Sequence, residues 1–147
     1  MHTMFRTAFA ALGLSAAMVL GPAALAETVA FKAELKASNE VPAVESKGSG
    51  TLTATYDTAS KSLNYTANYS GLTGDATAAH FHGPAAAGAN AKPQVPIKSN
   101  PIVSPIDGTV TLTPEQAKDL VDGKWYFNLH TAQNPSGEIR GQVVSAK

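Results

Sequence analysis

Apolar and polar side chains alternate along most of the chain beyond residue 27. Val29, Phe31, Ala33 and Leu35 alternate with Lys32, Glu34 and Lys36. Leu52, Ala54 and Tyr56 alternate with threonines 51, 53 and 55, and Leu63, Tyr65, Ala67 and Tyr69 with Ser62, Asn64, Thr66 and Asn68. A period of two marks a half-buried β-strand. The short turn at residues 57–61 joins the second and third runs as a hairpin. A fourth strand is predicted over 77–82, followed by a loop over 83–96, GPAAAGANAKPQVP, with little to pack and a course over the surface. Val110 and Leu112 alternate with threonines in a strand over 108–113. One helix follows: Thr113 is its N-cap, Pro114 its first residue, Gln116 the capping-box partner and Gly123 the residue beyond its end. Strands over 124–131 and 138–144, joined by the turn-forming AQNPSG, complete the chain. Seven or eight short strands and one short helix predict an all-β domain. Its expected architecture is an antiparallel Greek-key β-sandwich or flattened barrel.

Residues 1–26 do not belong to that pattern. Arg6, an apolar stretch over 8–20, Gly21-Pro22 and then Ala24-Leu25-Ala26 make the layout of a secretory signal peptide cleaved after Ala26. The expected mature domain is 27–147, located in a periplasm or secreted, with no membrane segment after cleavage. There is no cysteine, so disulfides, thiolate metal sites and iron–sulfur clusters are excluded. Removing Arg6 with the leader leaves ten basic residues against eleven acidic ones. That balance supplies neither the basic patch that nucleic acid requires nor a polybasic membrane anchor.

The chemistry concentrates in histidine. His2 lies in the leader, which leaves His80, His82 and His130. His80 and His82 are two apart in AAHFHGP and share a face, opposite Phe81. In KWYFNLHT, Trp125, Phe127 and Leu129 share one face and Tyr126, Asn128 and His130 the other. With the large apolar set inward, all three histidines point away from the core. An H-x-H pair spans ~6.5–7 Å between Cα atoms, within reach of one ion. A third imidazole from a neighbouring strand would complete an all-nitrogen metal site. Such a set suits copper first and zinc less well. The alternative is ordinary surface histidine on an exposed sheet. Glu138 and Arg140, in GEIRG, share a strand face and read as a solvated ion pair, or as a pair in which Arg140 guides an anion toward the histidines.

Three stretches carry a family resemblance: LKASNEVPAVESKGSGTLTATYD, LNYTANYSGLTGDATAAHFHGPA and LTPEQAKDLVDGKWYFNLHTAQNPSGEIRGQV. They resemble the CHRD domain, the chordin-type domain, over nearly all of the expected mature chain. The resemblance implies an exported β-rich domain and carries little about activity. A distant likeness is positional: in copper/zinc superoxide dismutases an H-x-H pair, a later copper-ligand histidine and a functional arginine follow in the order of His80, His82, His130 and Arg140. The expected mature chain lacks a fourth histidine to bridge two metals and lacks the cysteine pair. Three functions are therefore expected to compete. One is metal binding through the three histidines, one a superoxide-consuming copper enzyme, and one a metal-free binding or structural module whose loops form a ligand or partner surface.

Overall fold

The alternating runs form the strands they predict. In the computed structural model, which describes residues 25–147, the strands are β1 (Thr28–Lys36), β2 (Ser49–Asp57), β3 (Ser62–Ser70), β4 (Ala76–His82), β5 (Pro93–Pro96), β6 (Ile106–Thr111), β7 (Trp125–Thr131) and β8 (Ile139–Ser145). A 3₁₀ turn (Ala37–Asn39) follows β1, and helix α1 (Pro114–Val121) precedes β7. The signal peptide read in residues 1–26 lies outside the described residues except for its last two.

All strands belong to one antiparallel sheet in the order β5-β4-β7-β8-β1-β2-β3-β6. The sheet curls until its ends approach and forms a nearly closed barrel. Ile102 bridges Ala76 at the start of β4, and its carbonyl accepts from the Tyr69 hydroxyl at 2.8 Å, which ties the β4 side to β3. After β3 the chain crosses to β4 and β5, β6 returns to the outer side of β3, and β8 closes back beside β1. Inside lie Phe31, Leu35, Leu52, Leu63, Phe127 and Leu129, all essentially inaccessible. Phe81 sits among Tyr65, Trp125 and Phe127, with ring centroids 5.2, 5.7 and 4.9 Å away.

The helix has the caps its sequence specifies. The Thr113 hydroxyl accepts from Gln116 N at 3.2 Å, and Gln116 Oε1 accepts from Thr113 N at 3.0 Å. Gly123 takes the left-handed conformation (φ +70°) that ends the helix. Leu120 is its buried anchor.

Two expectations are corrected. β6 begins at Ile106 because that side chain is buried and pairs with Ala67, and it ends at Thr111, before the expected Thr113. The segment 83–96 does not simply run over the surface. Its end forms β5, with buried Val95 opposite Phe81. Prolines at both ends of β5 are tolerated because an edge strand has one free side. Its first part covers the outer face of β7, so all seven residues of β7 are buried.

Candidate metal centre

β7 runs between β4 and β8, and this places the site. On its outer face Tyr126 pairs with His82 on one side and Gln142 on the other, while Asn128 pairs with His80 and Arg140. His130 stands diagonally across from His80. The ring centroids are 5.0 Å apart for His80–His130, 5.4 Å for His80–His82 and 6.3 Å for His82–His130. One ring nitrogen from each histidine can be chosen so that all lie within 4.8 Å of one another. The three predicted ligands are thus brought together.

Hydrogen bonds decide which nitrogen each ring offers. A carbonyl only accepts, so the nitrogen beside it carries the proton. His82 Nδ1 donates to the Ala91 carbonyl at 2.9 Å, and His130 Nδ1 donates to the Pro135 carbonyl at 3.0 Å. Both Nε2 atoms are therefore lone pairs. That of His82 is buried without a partner. That of His130 accepts from His80 Nδ1 at 3.1 Å. His80 is the most accessible ring, and moving its proton to Nε2 frees Nδ1 as the third donor. Ligation at ~2.0–2.1 Å would draw the rings closer than they stand. Carbonyls that orient imidazoles are the usual outer partners of metal-bound histidine.

Burial lowers the pKa of all three histidines. For His80 the neighbouring charges of His130 and His82 lower it further. For His82 the Ala91 carbonyl and the Asn128 side chain work against burial, while the charges of His130 and Arg140 add to it. For His130 the Pro135 carbonyl is the opposing influence. Neutral imidazole is the ligating form, and the lowered values keep the three rings in that form.

With this geometry in view, residues 31–143 match the family described as CHRD domain. The chain belongs to the CHRD domain family. Comparison with curated proteins and with solved structures finds no match.

The CHRD chain surrounds its histidines with polar groups that alternation alone does not show. Arg140 and Glu138 are not a solvated pair: both are buried, and they form no ion pair. Arg140 Cζ lies 3.5 Å from the centre of the Tyr126 ring, and Tyr126 stacks on His82 at 4.7 Å with only 5° between the planes. Because β4 and β8 flank β7 on opposite sides, arginine and histidine occupy opposite faces of the tyrosine. Glu138 turns instead into the loops beside His130.

Glu40, in NEVP, carried no chemical signal in the sequence, yet it is 7% exposed and its Oε1 has no hydrogen-bond partner. It lies against Gly137, where an added Cβ would sit 2.5 Å from Oε1 and 2.8 Å from Asn128 Nδ2. Burial raises its pKa to about 7, although the charge of Arg140 and the Asn128 amide pull it down. The unfolded group titrates near 4.5, so stability is fully present below that pH and is lost as pH rises through about 7. Glu40→Gln should therefore gain about 2 kcal/mol of stability at pH 8 and almost none at pH 4. Urea melts of both proteins at the two pH values check this; an equal gain at both would show that charge is not the cause.

Proposed function

We propose that this CHRD domain is an exported protein that binds one transition-metal ion, copper in preference to zinc, through His80, His82 and His130. The observation that supports it best is the hydrogen bonding of His82 and His130. In each, Nδ1 is committed to a carbonyl and Nε2 is left as a lone pair in one shared cluster. Three neutral nitrogens with no thiolate favour copper, the most tightly held of the common divalent ions at nitrogen sites. The role that fits a small exported domain is capture and holding of the ion. A superoxide-consuming alternative would rest on Arg140, which packs on Tyr126 on the side away from His82.

The test is a copper titration of residues 27–147 by calorimetry near neutral pH, beside the His80→Ala, His82→Ala, His130→Ala triple variant. One-to-one tight binding in the first and none in the second is expected. Weak binding, equal in both, would overturn the reading and leave the loops as the binding surface.

A further inference from the structure

Arg140 is a buried cation without a counter-ion. It is 3% exposed, and no carboxylate among the described residues lies within ion-pair distance. Its Nη1 donates to Asn90 Oδ1 at 2.7 Å and its Nη2 to the Ala89 carbonyl. Two of its five N–H groups are thereby used. Stacking on Tyr126 fixes the plane of the guanidinium.

Facing it is a cavity of about 340 Å³ between the 3₁₀ turn region and the loop that follows β4. Arg140, Glu40, Asn39, Val41, Gly88 and Gln142 line it, and none of the histidines does. Glu40 lines the cavity as well, with its Oε1 turned away from it, against Gly137 and the Asn128 amide. A desolvated cation is unfavourable unless something pairs with it. The remaining edge of a guanidinium fork matches a planar carboxylate. Near neutral pH, burial keeps much of Glu40 protonated, and a carboxylic acid donates a short hydrogen bond to a carboxylate. The volume is at the low end for small-molecule sites of ~300–1,000 Å³.

We infer that the cavity between Arg140 and Glu40 binds a small organic carboxylate, held by the Arg140 guanidinium and by Glu40 as hydrogen-bond donor. This site is independent of the metal. Asn39 ties it to the sheet, since its Nδ2 donates to the Arg140 carbonyl at 3.1 Å. Val41 gives the carbon end of the ligand an apolar wall.

The experiment is a titration of metal-free, ¹⁵N-labelled protein with propionate and, separately, with propionamide at pH 7, following the amide signals of Gly88 and Asn39. Saturable shifts with propionate and none with propionamide are expected. Arg140→Lys should weaken propionate about tenfold, because an ammonium lacks the planar fork. Glu40→Gln should bind at least as tightly as the unaltered protein, because the amide keeps a donor in place. His80→Ala, which disables the metal site, should titrate with propionate unchanged, so the two sites stand or fall separately. Equal, non-saturating shifts with both probes would overturn the inference, as would an Arg140→Lys titration matching the unaltered protein. If Arg140→Lys does not fold, Glu40→Leu decides: loss of saturable binding supports the site, and an unaltered titration overturns it.

Discussion

Glu138→Gln should cost the CHRD domain about 3 kcal/mol of folding stability at neutral pH and much less at pH 2. The carboxylate is fully buried. Burial alone would raise its pKa, but donors surround it. Ser46 Oγ donates to Oε1 at 2.6 Å, and Thr73 donates from its amide at 2.8 Å and its hydroxyl at 2.7 Å. Thr131 Oγ1 donates at 2.6 Å and Asn134 Nδ2 at 3.2 Å. The hydroxyls and the Thr73 amide outweigh burial and bring the pKa from 4.5 to about 2. The sign follows from the depressed value. The stabilisation is present above about 4.5 and is lost as pH falls through about 2. Glutamine keeps the volume but removes the charge and sets an N–H₂ against hydroxyls oriented as donors. Urea melts at pH 7, 4 and 2 should show a gap between the proteins that closes on acidification. A gap of constant size would mean that shape, not charge, holds these loops. Glu138 also anchors the 131–138 loop that presents the Pro135 carbonyl to His130. The same variant should therefore weaken metal binding without touching a ligand.

The strand framework was legible because one face of each strand meets the core. Val29 to Leu35, Leu52 to Tyr56 and Leu63 to Tyr69 alternate cleanly, and the strands follow. The same rule placed the three histidines on the outer face, and parity then brought them together once β4 and β7 proved to be neighbours. Alternation gives direction only and is silent about cover. Nothing in WYFNLHT says that both faces are buried, because a loop supplies the second cover and its contacts are carbonyls. The available clue was the run of small residues in PAAAGANA. Side chains that small let a backbone lie close over a sheet, and Ala89 and Ala91 present their carbonyls to Arg140 and His82. Glu40 and Glu138 were illegible for a related reason. A carboxylate in a loop or at the start of a strand reads as solvated until the donors or the cavity around it are seen, and for Glu138 the Ser46 and Thr73 donors come from residues distant in sequence.

Copper at a free concentration 100 times its dissociation constant should raise folding stability by about 2.7 kcal/mol at pH 7.5, provided the ion binds the folded form alone. The effect should disappear on acidification, and the stability of metal-free protein should respond to pH separately. Protons compete with the ion for the lone pairs of the three imidazoles. In addition, burial holds each folded histidine below its ordinary value of 6.5, so the unfolded chain takes up protons that the folded chain refuses. Stability from this source is present above about 6.5 and is lost as pH falls below it. In the Glu40→Gln background, which removes the opposite contribution of Glu40 over this range, metal-free protein should thus weaken between pH 7 and 5, well above the range in which Glu138 titrates. Replacing all three histidines by alanine should remove both the copper-dependent increment and this first acid step while leaving the second step in place. Chemical denaturation with and without copper at pH 7.5, 6 and 5 reads both quantities. A copper increment of the same size in the triple variant would place the ion elsewhere on the chain. An increment that persisted undiminished at pH 5 would mean that imidazoles are not its ligands.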